Sequence, residues 1–149
     1  MHTSGFSLRL QLVLQAAIDA AKARRHEYVG TEHQLLGLLA EPDGVAAAVL
    51  DRLDVERSDM AAQISTIIGK GEVRTDPADE LPLTSRAHKV LELSSAAAHE
   101  MNHSYVSTEH LLLGIVRERN GVAAQVLHHA GVTDAVARAE ILRVLGTLH

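Results

Sequence analysis

The chain has 149 residues, 46% hydrophobic and 22% charged, enough length to bury a real core in one domain or two small packed units. Fourteen Lys and Arg against nineteen Asp and Glu leave a net charge of −5, which argues against a basic nucleic-acid-binding field. Three aromatic residues (Phe6, Tyr28 and Tyr105) offer bases little to stack on, and the absence of cysteine removes disulfides, thiolate nucleophiles and Cys-ligated zinc.

The first predicted element is the apolar run from Leu8 to Ile18. Gln11 and Gln15 interrupt it and Asp19 follows, so it falls short of the roughly 18 uninterrupted apolar residues of a membrane span. A cytoplasmic protein without a membrane partner is expected. Leu10, Val13, Leu14, Ala17 and Ala21 instead follow the helical period, with Ser7 placed to cap the helix. A second helix is predicted from Thr31, where Thr31-x-x-Gln34 fits a capping box. Gly44 separates it from a short Val/Ala-rich third helix, and a fourth runs through Met60, Ile64 and Ile67 to a stop at Gly69. The polar segment 70–82 holds two of the three prolines. Helical periodicity then returns in Ala87, Val90, Leu91, Ser94 and Ala98 behind Thr84 as cap. Thr108 and Gly121 start two further helices, and Ala137, Ile141 and Val144 lead to a second stop at Gly146. Strand signals are absent.

The second half repeats the first. Tyr28-Val29-Gly30-Thr31-Glu32-His33-Gln34-Leu35-Leu36-Gly37 returns as Tyr105-Val106-Ser107-Thr108-Glu109-His110-Leu111-Leu112-Leu113-Gly114, 77 residues later and without a gap. Across 28–55 and 105–132, 16 of 28 positions are identical, far beyond chance. The expected fold is all-α: eight helices as two four-helix pseudo-repeats (about 6–69 and 83–146, linker 70–82), packed as two short bundles with a pseudo-twofold relation. Gly37 and Gly114 fall inside helices, where glycine costs about 1 kcal/mol against alanine, so close helix–helix approach is expected at both.

The doubled [G/S]-T-E-H-x-L-L-G-[LI], followed by G-V-A-A-x-V-L, resembles the N-terminal repeat domain of Clp/Hsp100 unfoldases, the ClpC type in particular. The resemblance covers roughly residues 6–146. It implies a non-catalytic helical module that captures substrates and adaptors for unfolding and proteolysis, with a Clp ATPase as a partner. The chain has no G-x-x-x-x-G-K-[ST], so it builds no P-loop and hydrolyses no ATP itself. A free-standing adaptor or decoy is the expectation, with no cofactor.

Glu32 and Glu109 follow the predicted capping threonines Thr31 and Thr108. In the first turn of a helix they would complement the helix dipole, worth about 0.3–1 kcal/mol. The resemblance implies more: the corresponding glutamates of ClpC-type domains hold the guanidinium of phosphoarginine. A carboxylate suits a guanidinium, and helix N-termini headed by Ser7 and Thr84 suit the phosphate. Arg9 and Arg86 match between the copies and are expected to form surface ion pairs, and His33 and His110 to hydrogen-bond in their helices' first turn. On the first helix Leu8 and Leu12 stand where relatives of this type carry charge, and Ser85 and Lys89 occupy the matching places in copy two. Two such leucines one turn apart predict an apolar patch for a partner or a homodimer, so a purely structural dimerisation module is a second reading.

His99-Glu100-Met101-Asn102-His103 spells H-E-x-x-H, the zinc hydrolase signature, which needs both histidines on one helical face. The other copy reads Lys22-Ala23-Arg24-Arg25-His26, and the helix is expected to end before His103. Neither a metal nor an enzyme is therefore expected.

Overall fold

The computed structural model describes residues 5–71 and 81–147, the last by its backbone alone, so most of the 70–82 linker lies outside the described residues. The described residues form eight α-helices: α1 (Leu8–Ala23), α2 (Thr31–Ala40), α3 (Val45–Arg52), α4 (Arg57–Ile68), α5 (Ser85–Glu100), α6 (Thr108–Glu118), α7 (Val122–His129) and α8 (Asp134–Thr147).

Ser7 and Thr84 cap α1 and α5 as expected, their hydroxyls accepting from the N–H of Leu10 (3.0 Å) and Ala87 (3.1 Å). The caps of α2 and α6 differ from expectation. They are Gly30 and Ser107, one residue before the threonines, and the side chains reaching back to the cap N–H are His33 and His110, both at 2.9 Å. Gln34 takes no part in a capping box. It is buried, and its amide donates to the Ala87 carbonyl across the copies at 3.2 Å. Gly69 adopts φ 60° and ends α4. Gly146 does not end α8, which continues to Thr147, because its backbone stays out of the left-handed region that makes a glycine stop.

α1 packs on α2 and α5 on α6 at the two glycines. A Cβ at Gly37 would come 2.5 Å from the Val13 carbonyl oxygen, and one at Gly114 equally close to that of Val90. The two repeats do not keep separate cores. Leu10, Leu35, Leu50 and Ile64 of the first copy and Leu112, Leu127 and Ile141 of the second join one continuous cluster, because α3 packs on α8 and α7 on both α2 and α4.

One crossing matters for the site. Isolated parallel bridges join Phe6 to Val106 and Val29 to Leu83, pairs that interchange under the 77-residue offset. The N–H groups of Ser7 and Thr84 donate to the carbonyls of Val106 (2.8 Å) and Val29 (3.0 Å). The start of α1 therefore lies against the start of α6, and the start of α5 against that of α2. Each tip draws on both copies.

Candidate functional site: two helix-tip sites

At the first tip, Glu32 of α2 faces the N-terminus of α5. Tyr28, Thr31, Glu32, Thr84, Ser85, Arg86, Asn120, Gly121 and Val122 line a cleft of about 480 Å³, where the N-termini of α2, α5 and α7 converge. Free N–H groups and helix dipoles at such ends favour an anion. Glu32 is half-buried, and its carboxylate lies over the bare backbone of Gly30, where any Cβ would collide with Oε1. Thr31 Oγ1 makes no hydrogen bond among the described residues, and Thr84 Oγ1 retains its own proton to donate. Arg86 is held by Glu118 (3.1 Å), whose other oxygen accepts from the Gly121 N–H at 2.6 Å. The cleft thus sets a carboxylate beside an anion-favouring wall, which suits a ligand carrying a cationic and an anionic group close together.

At the second tip the homologous residues are tied to one another. Ser7 Oγ and Ser107 Oγ lie 2.7 Å apart in a hydrogen bond, and Thr108 Oγ1 accepts from the Ala46 N–H of α3 at 3.2 Å. Glu109, which would have to reach outward to hold a guanidinium, is only 2% exposed. Its Oε1 is buried without a partner among the described residues, and burial raises its pKa above the ordinary 4.5. Its carboxylate lies near Tyr105 and His103, and the N-cap place that glycine leaves bare at position 30 is filled here by the Ser107 side chain.

Behind each tip sits a histidine pair, buried at the first and part-buried at the second, of which the sequence suggested only one member. His26 Nδ1 and His33 Nε2 are 2.7 Å apart, His103 Nδ1 and His110 Nε2 2.8 Å, with Tyr28 and Tyr105 stacked on the first ring of each pair. The signal that could have found them was the recurrence of His and Tyr at 26/28 and 103/105. Burial, with His26 and Arg24 close by, lowers His33 to about 4; burial and His103 do the same to His110.

A family model describing the Clp repeat (R) N-terminal domain matches residues 5–147. The chain belongs to that family. It is 43% identical over 142 residues to the chaperone protein ClpB of Oceanobacillus iheyensis and 42% identical over 142 to the negative regulator of genetic competence ClpC/MecB of Bacillus subtilis. Both alignments cover 95% of this chain but only 17% of the relative, so the chain spans under a fifth of the length of either. The fold is also that of a ClpV N-domain solved in complex with a VipB peptide, at TM-score 0.73 and 18% identity, covering 95% of this chain and 89% of that one.

In this Clp repeat domain the H-E-x-x-H run builds no zinc face. α5 ends at Glu100, Asn102 turns to φ 61°, and His103 is committed to His110. Among the described residues no group of three or more His, Asp or Glu gathers to hold a metal, and no helix is long and apolar enough to cross a membrane. Arg9 pairs with Glu41 (2.9 Å) as Arg86 does with Glu118. Leu8 and Leu12 stand 72% and 61% exposed on the Clp repeat domain's α1, the second lining a shallow groove with Ala16, Ala40 and Pro42.

Proposed function

We propose that this Clp repeat domain is a non-catalytic binding module of Clp-type protein quality control and that its Glu32 tip reads phosphoarginine on marked proteins. One observation carries this: the Glu32 carboxylate and the Thr84-headed N-terminus of α5 line the same cleft. The carboxylate takes the guanidinium through charge-assisted hydrogen bonds, and the N–H groups and hydroxyls of Thr31, Thr84 and Ser85 take the phosphate. The family membership and the peptide carried by a ClpV N-domain of the same fold support cargo binding. Acting apart from a ring, the module delivers cargo to a Clp ATPase as an adaptor or competes with that ATPase's own domain as a decoy.

The test is calorimetric titration with free phosphoarginine. Saturable binding to the wild type, weakened by Glu32→Ala about 10- to 100-fold, is the expected result, since a hydrogen bond to a charged group is worth about 1.5–3 kcal/mol. Binding indifferent to Glu32→Ala, or no binding to the wild type, refutes the reading.

The exposure of Leu8 and Leu12 favours a second contact, with a partner protein or a second copy. Leu8→Glu with Leu12→Lys is expected to change the solution mass or the set of captured proteins. If both stay as in the wild type, this contact is refuted.

A further inference from the structure

Duplication supplies two tips, and every difference between them runs the same way. Where the first has Gly30 at the N-cap, the second has Ser107, hydrogen-bonded to Ser7. Where the Thr31 hydroxyl makes no hydrogen bond in the cleft among the described residues, that of Thr108 is drawn to the N-terminus of α3, accepting from the Ala46 N–H. Ser85 on one lip is matched by the exposed Leu8, whose side chain offers no hydrogen bond, and Asn120 by Asp43, whose charge repels an anion. Glu32 opens into a cleft, whereas Glu109 is sealed. Donors, carboxylate and lip thus all favour a ligand at one tip and disfavour it at the other.

We infer that the domain has one ligand site, at the Glu32 tip, that Gly30 is the residue keeping it open, and that the Glu109 tip has become a structural joint between α1, α3 and α6. This rests on the ligand reading proposed above. The mechanism is steric. A side chain at position 30 displaces the Glu32 carboxylate, which can swing aside because it is the far end of a flexible chain, so the variant folds while the site closes.

The experiment is calorimetric titration of the full chain with free phosphoarginine, comparing the wild type with Gly30→Ser, Glu109→Gln and the pair Ser107→Gly/Leu8→Ser. One equivalent is expected to bind the wild type and Glu109→Gln with equal affinity. Gly30→Ser is expected to bind roughly tenfold more weakly or worse, and the Ser107→Gly/Leu8→Ser pair to gain a second equivalent. Far-UV circular dichroism checks folding, and Gly30→Ala, which adds only the Cβ, replaces Gly30→Ser if that variant does not fold. Two equivalents on the wild type, or weakened binding in Glu109→Gln, overturns the inference and leaves the ligand reading standing. Unchanged binding in the position-30 variant, or no second equivalent in the pair, overturns the part played by the N-cap residue. No binding to the wild type overturns the ligand reading and takes this inference with it.

Discussion

The histidine pairs make the fold sensitive to mild acid, and the size of the effect follows from their bonds. The backbone N–H of Gly30 can only donate, so His33 Nδ1 accepts and the ring's proton sits on Nε2, pointing at His26 Nδ1. Ser107 fixes His110 in the same way. Burial above all, with His26 and Arg24 beside His33 and His103 beside His110, lowers both rings to about 4 against an ordinary 6.5, and a second proton on either would also remove the cap of α2 or α6. A histidine depressed in this way contributes stability that is complete above 6.5 and is lost as pH falls toward 4, because the unfolded chain takes up the proton first. The full linkage is about 1.4 kcal/mol per pH unit for each proton. Because the unfolded ring is only half protonated at pH 6.5, and allowing for solvent screening, about 1 kcal/mol is expected per histidine between pH 6.5 and about 5, or about 2 kcal/mol for the two. At a typical urea slope this moves the unfolding midpoint by about 1–2 M. Glu109, with its pKa raised, works in the opposite sense, so the series belongs in a Glu109→Gln background. Urea titrations from pH 7 to 5 read the slope, and His33→Gln/His110→Gln is expected to flatten it. A midpoint independent of pH before those changes are made would show that the rings carry no such linkage.

Gly114→Ala drives a methyl group into the Val90 carbonyl and is expected to cost about 1–3 kcal/mol by chemical denaturation. Gly146→Ala, with nothing within 4 Å, is expected to gain up to about 1. Leu50→Ala and Leu127→Ala, at matched fully buried positions, are each expected to lose about 2–5 kcal/mol in the same assay. An isolated first repeat is expected to give no cooperative melt, because Leu35, Leu50 and Ile64 bury themselves in a cluster that the second repeat completes.

The helices were legible because their causes are local: a 3.6-residue apolar period, a hydroxyl cap at Ser7 and Thr84, and a repeat that registers one half on the other. The ion pairs of Arg9 and Arg86 and the close approach at Gly37 and Gly114 were legible for the same reason, since each recurs at a fixed offset. The N-cap of α2 was misplaced by one residue because Gly30 has no side chain to advertise the role and the adjacent threonine does, and that of α6 because Ser107 and Thr108 are both cap-forming residues and the repeat carried the threonine reading across. Gln34 looked like a capping partner but serves the contact between copies, where its amide meets the Ala87 carbonyl. The burial of Glu109 was not legible because the one nearby difference from Glu32's surroundings, Ser107 for Gly30, takes its meaning only from the meeting of Ser107 with Ser7, 100 residues away.

That meeting explains how identical motifs come to sit in unlike surroundings. Each tip takes its glutamate from one copy and two of its helix N-termini from the other. A substitution near residue 8 therefore alters the tip of Glu109 and leaves that of Glu32 untouched, although Glu32 lies in the same repeat as residue 8. Gly44 and Thr108 are coupled in the same way, as are Gly121 and Thr31, whose hydroxyl would come 2.5 Å from a Cβ at Gly121. One tip can then be recruited to packing while the other keeps its cleft, with the Val29–Leu83 and Phe6–Val106 bridges unchanged. For the same reason repeat identity is a poor guide to site equivalence in this fold. The residues to compare are those that face each other across the crossing, Gly30 with Thr84 and Ser107 with Ser7.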